Sequence, residues 1–202
     1  WEDVALIREI PGAVICDPAD DVQMEWIIKE FLKMEGIHYV RSNRKAVRNV
    51  YKKGSSFKIG QGNILKEGKD ILIIAAGQLV SEALDCAEEL EKEGYSVEVI
   101  DMFTIKPLDE KLLIKEAKGK SKIVTIENHS IYGGLGSAVS EVIAENGISV
   151  PVKRIGVKEK FGQVGTAEFL QEEFGLTAKQ IKETICQFQA VKEQSKSSAP
   201  FL

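Results

Sequence analysis

His129 stands in "IENHSIYGGLGSAVSE", two residues after Glu127 and four before the glycine pair Gly133 and Gly134, with Gly136 beyond. An imidazole titrates near neutral pH, so His129 could move a proton or bind an anion. Glu127 could act as an acid or base, or it could cap a neighbouring helix. Backbone NH groups at a glycine-rich helix start can also bind an anion. Each feature has a plainer reading. His129 could be a polar residue that bonds across an interface. The glycines could serve a tight turn and close helix–strand packing. "GGLGSAVSE" lacks the lysine and hydroxyl of a P-loop and does not fit G-x-G-x-x-G. Ser130 adjoins His129, but neighbours on a turn rarely reach triad geometry. Glu127, His129, Gly133 and Gly134 therefore form a candidate anion or interface site, and no residue is assigned a catalytic role.

A second candidate is the basic run "HYVRSNRKAVR", with Arg41, Arg44, Lys45 and Arg48. Arginine grips a phosphate or carboxylate in bidentate fashion. A solvated basic edge is the alternative. Asp101 closes the run "SVEVID" and is open to the same two readings as Glu127. Gly77 stands alone after "DILIIAA", which is not a dinucleotide fingerprint. No metal-ligand spacing occurs, so no metal is expected on this chain.

These residues need elements to hold them. "AVICDP" reads as a buried strand and a turn, "DDVQMEWIIKEFLKME" as an amphipathic helix stopped at Gly36, and "IHYVRS" as a second strand. That βαβ unit is too small for its own core, so residues 1–49 read as the end of a larger α/β domain. Residues 50–65 read as a linker. From residue 66 to 190, strands alternate with helices: "DILIIAAG", "SVEVID", "KIVTIEN" and "VPVKRIGV" are strands, with Asp109, Thr166 and Thr177 placed to cap helices. The expected fold is α/β, an open and mostly parallel sheet with helices on both faces. The loops at Gly77, at 103–106 and at 127–129 follow strand ends, so they should lie near one another. Residues 191–202 read as a mobile tail.

Composition narrows the classes. A net charge of −4 over 202 residues gives no reason to expect nucleic acid or lipid as partner. No apolar run is long enough for a membrane span. No basic-then-apolar leader opens the chain. Cys16, Cys86 and Cys186 are odd in number and far apart, which fits reduced cysteines in the cytoplasm. The first residue is Trp1, so a fragment or processed product is expected.

Taken together, the "PAD" turn, "RSNR", "FTIKPLD" and "ENHSIYGGLG" resemble the C-terminal half of transketolase, in the family's order, from residue 2 to about residue 190. The resemblance implies the end of a pyrimidine-binding domain followed by the C-terminal domain. It implies thiamine diphosphate and Mg²⁺ in the complete enzyme, with none bound to this chain alone. The reaction implied is transfer of two-carbon ketol units between sugar phosphates. The family's catalytic glutamate, ring-stacking aromatics and substrate histidines would lie upstream of Trp1, so the chain is expected to be inert by itself. Its expected partners are an N-terminal region or subunit and further copies of itself. By the same resemblance Arg44 binds the sugar's terminal phosphate, Arg41 is structural, and the His129 element serves packing and subunit contact. The alternatives are a non-catalytic dimerisation module, or the equivalent part of a 2-oxo acid dehydrogenase beta subunit or of deoxyxylulose phosphate synthase.

Overall fold

A computed structural model describes residues 1–44 and 46–197, with side chains to residue 188. The element order is α1 (Asp3–Arg8), β1 (Val14–Cys16), α2 (Asp21–Phe31), β2 (His38–Val40), β3 (Asn63–Lys66), β4 (Ile71–Ala75), α3 (Leu79–Lys92), β5 (Val97–Asp101), β6 (Thr104–Lys106), α4 (Glu110–Ala117), β7 (Lys122–Ser130), α5 (Leu135–Glu145), β8 (Val152–Val157), α6 (Ala167–Glu173) and α7 (Ala178–Ser197).

The main sheet has the order β3-β5-β4-β7-β8. All its pairs are parallel except the β3–β5 edge. The apolar run of β4 follows from burial on both faces. Ile71 and Ile73 pack with Leu79, Val80, Ala83 and Leu90 of α3 and with Ile181 and Ile185 of α7. Leu72 and Ile74 face the other way, towards Leu113 of α4 and Leu135 and Val139 of α5. Alternation along the pleat thus divides one strand between two cores. This is the expected α/β fold, a mostly parallel sheet covered on both sides.

A second sheet, β2-β1-β6, joins the N-terminal βαβ unit to residues 104–106. β1 and β2 are parallel, as the βαβ reading requires, and β6 adds antiparallel to β1. Residues 104–106 were expected in a loop. They form a strand because β1 offers them a free edge, a pairing more than 80 residues away that no local pattern records. Phe57, in the segment read as linker, packs edge-on against Trp26 and Phe103, beside Cys16 and Ile27. The end of that segment supplies most of β3.

Local signals held where the physics is local. Asp109 Oδ1 accepts the Leu112 NH at 3.0 Å, Thr166 Oγ1 that of Phe169 at 3.2 Å, and Thr177 Oγ1 that of Gln180 at 3.4 Å. Gly94 ends α3 with φ of 92°. Its NH donates to the Glu91 carbonyl and the Tyr95 NH to that of Leu90, the paired bonds of a Schellman stop. α2 ends at Phe31, short of Gly36. α1 went unread because six residues make little periodic signal; burial of Val4 beneath it holds it in place. α7 runs to Ser197, so it takes in much of the expected tail, and residues 198–202 lie outside the described residues. Among the described residues no helix is long and apolar enough to cross a membrane.

Candidate functional site

The three loops expected to be neighbours meet at the turn after β1. Asp17 donates its NH to the Phe103 carbonyl at 2.8 Å, and its own carbonyl accepts the Gly77 NH at 3.0 Å. A Cβ on Gly77 would sit 2.5 Å from the Asp17 carboxylate, and its φ of 66° also favours glycine. Arg41 completes the junction. Its Nη1 donates to Asp17 Oδ2 at 3.0 Å and to the Asn128 carbonyl at 3.0 Å, while Nε donates to Asp3 Oδ2 at 2.8 Å. Burial alone would lower the pKa of this guanidinium, but Asp17 and Asp3 more than offset it and hold it above its ordinary value. Burial dominates at Asp17 and raises its pKa in spite of Arg41; Asp3, more exposed, is held below its ordinary value by Arg41 and Tyr39.

Glu127 and His129 lie on β7, which is longer than "KIVTIEN" and shifts register between Ile126 and Ser130. Both side chains are buried. Glu127 Oε2 accepts the Leu135 NH at 2.7 Å, and Oε1 the Gly136 NH at 2.8 Å. The donors at the start of α5, where an anion would bind, are therefore already held by the chain's own carboxylate. Burial raises the Glu127 pKa to about 7, against the pull of those two NH groups. His129 Nε2 accepts the Ala5 NH at 3.4 Å, and Nδ1 lies 2.7 Å from the Ser130 carbonyl. That pattern assigns a neutral ring with its proton on Nδ1. Burial lowers the His129 pKa, opposed by the Ser130 carbonyl.

The glycines explain themselves by contact. A Cβ on Gly134 would stand 2.0 Å from Glu127 Oε2, and one on Gly133 2.5 Å from the Ala5 Cβ. One on Gly136 would reach Thr125 Oγ1 at 2.7 Å. The element thus seats α1 and the start of α5 against β7.

Arg44 is placed differently. It is exposed, and among the described residues it makes no hydrogen bond or ion pair. It lines a cleft of about 1020 Å³ together with Arg41, Arg48, Gln78, Gln163 and Thr166. Arg48 is committed elsewhere, forked onto both Asp85 oxygens at 2.7 and 2.8 Å and donating to the Ser81 carbonyl at 2.6 Å.

The sequence reading named Asp101 but not its role, and it did not single out Asp20; these two acids hold the basic segment. Asp20 caps α2 through the Gln23 NH at 2.9 Å, and its other oxygen accepts the NH groups of Val50 and Tyr51 at 2.8 and 2.7 Å. Asp101 Oδ2 accepts the Tyr51 hydroxyl at 2.6 Å and the Gln23 amide at 2.7 Å. For Asp20 the available signal was the turn "DPAD", with an acid at each end.

The family description "Transketolase, C-terminal domain" matches residues 60–181, more than half of the chain. The chain belongs to the transketolase family. It is 41% identical over 180 residues to the 6-deoxy-6-sulfo-D-fructose transketolase subunit SqwH of Clostridium sp. (strain MSTE9), covering 89% of this chain and 56% of that protein. It is 35% identical over 187 residues to an apulose-4-phosphate transketolase subunit of Phocaeicola vulgatus, covering 92% and 59%. A solved structure described as "Split gene transketolase, inactive beta4 tetramer" superposes with a TM-score of 0.86 at 40% identity, covering 92% of this chain and 60% of that one. The chain therefore spans well under two thirds of these transketolase relatives. Among the described residues no group of three or more His, Cys, Asp or Glu side chains could hold a metal ion. The donors at the start of α5 are taken by Glu127 and are not open to a diphosphate.

Proposed function

We propose that this chain supplies the C-terminal portion of a thiamine-diphosphate-dependent transketolase that transfers two-carbon ketol units between sugar phosphates. An N-terminal region or subunit brings the cofactor, Mg²⁺ and the catalytic residues. This portion contributes Arg44 for the sugar's terminal phosphate, together with surface for subunit assembly. The observation that carries the reading is the contrast among three arginines. Arg41 and Arg48 are tied to carboxylates, whereas Arg44 is exposed at the cleft with its guanidinium available. A free guanidinium beside fixed neighbours is suited to a charge-assisted, bidentate phosphate contact. The two relatives named as transketolase subunits, for a sulfofructose and for a sugar phosphate, support an anionic sugar as the substrate class.

The test is a ketol-transfer assay with thiamine diphosphate and Mg²⁺, on the chain alone and with the N-terminal polypeptide. Turnover in the mixture only is the expected result. Turnover by the chain alone overturns the division of labour, and silence from a stable mixture overturns the activity.

A second reading, a dimerisation module, is supported by Ile28, Leu32 and Ile37, which stay exposed along α2 and just past it. The relative solved as an inactive tetramer supports it too. The two readings are compatible in one chain.

A further inference from the structure

Arg44 sits near the start of an irregular segment between β2 and β3, and carboxylates grip that segment on both sides of it. Upstream, Arg41 is locked by Asp3 and Asp17. Downstream, Val50 and Tyr51 hang from Asp20, and the Tyr51 hydroxyl reaches Asp101. The anchor nearest Arg44 on that side is Arg48. Its fork onto Asp85 and the Ser81 carbonyl fastens the segment to α3, a helix of the C-terminal unit. Only residues 42–47 lie between the arginine anchors.

A guanidinium binds phosphate well only if its backbone delivers it at the right place, since the tolerance for such a contact is a fraction of an ångström. We infer that Asp85 and Arg48 form a positioning pair through which helix α3 of the C-terminal unit sets the reach of Arg44, and so sets affinity for the phosphate end of the substrate. Arg48 acts through Arg44 and does not touch the substrate. This inference rests on the phosphate role proposed for Arg44.

Asp85 is the position to change, because it separates the alternatives. Its side chain and that of Arg48 are 41% and 55% exposed, so loss of the pair should leave folding intact. If Arg48 were itself a phosphate ligand, removing Asp85 would free it and binding would hold or improve. If Arg48 positions Arg44, removing Asp85 should weaken binding.

The experiment uses the complete enzyme, assembled with its N-terminal portion, and a ketose phosphate beside the same ketose without phosphate. Asp85→Ala is expected to raise KM for the phosphorylated substrate about three- to tenfold, with kcat and the unphosphorylated KM unchanged. Asp85→Glu, which keeps a carboxylate, should recover most of the loss. Hydrogen exchange at residues 43–47 should speed up in Asp85→Ala alone. An unchanged or lower KM for the phosphorylated sugar overturns the positioning role, as does an equal rise for both sugars. Arg44→Ala is run in parallel. If it is phosphate-selective and Asp85→Ala is not, the positioning pair fails and the phosphate role stands. If Arg44→Ala is unselective, the phosphate role fails and the inference falls with it.

Discussion

Tyr51 donates its hydroxyl to Asp101 across 2.6 Å, joining the segment after β2 to the end of β5. Asp101 is fully buried, and Gln23 shares the same oxygen. Asn63 is its cross-strand neighbour on β3. Burial raises the Asp101 pKa from 3.8 to about 7, against the hydrogen bonds from Tyr51 and Gln23.

That shift gives a stability profile. A carboxyl with a raised folded pKa binds its proton more tightly in the native state than in the unfolded one. Its contribution is most favourable below the unfolded value of 3.8 and is lost as pH rises to about 7. Glu127, also near 7, adds a slope of the same sign. Asp101→Asn keeps an acceptor for Tyr51 and Gln23 and carries no titratable proton. Urea denaturation from pH 4 to 8 should show a shallower loss of stability in Asp101→Asn than in the unaltered chain, and greater stability at pH 8. A slope as steep as before would refute the assignment.

At the start of α5, Glu127→Gln leaves one backbone NH facing an amide NH₂ in place of an oxygen. A cost of about 1–3 kcal/mol is expected for that unsatisfied buried donor. Gly134→Ala should cost a comparable amount by another route, because its Cβ would overlap the Glu127 carboxylate. Gly147→Ala is the control. It has open space around it and a φ of 61°, so only backbone strain of roughly 1–2 kcal/mol applies. Chemical denaturation of the three variants checks the order. If Gly134→Ala proves as mild as Gly147→Ala, the contact has been misjudged.

His129→Ala removes the acceptor for the Ala5 NH and the ring beneath α1. Stability or assembly should fall before the chemical step does, by roughly 1–3 kcal/mol for the orphaned donor. The lowered His129 pKa gives the opposite pH sense to Asp101. Its contribution is present above the unfolded value of 6.5 and fades as pH falls below it. A large loss of kcat in an intact assembly would assign His129 to the chemistry instead.

For Arg44→Ala, removal of a charge-assisted pair should cost about 1.5–3 kcal/mol of binding, roughly 10- to 150-fold in KM for a phosphorylated sugar and little for its unphosphorylated counterpart. Steady-state kinetics on both sugars decide it.

The sequence by itself determined what neighbours in the chain can settle. Asp109, Thr166 and Thr177 cap their helices because a side chain and an NH three residues on are the only parts required. The unbroken "ILIIA" declared a strand buried on both faces. "RSNR" and "ENHSIYGGLG" marked the two stretches worth testing, though not what each one does. Tertiary structure decided the rest. It decided between the two readings of Glu127 in favour of the cap of α5 and gave residues 104–106 to the β1 sheet. It also tied Tyr51 to Asp101, and Arg48 to Asp85, across dozens of residues. Those outcomes depend on burial and on partners far along the chain. A carboxylate's role follows from the donors that the fold brings to it and the water that the fold removes, and neither is written in its sequence neighbourhood.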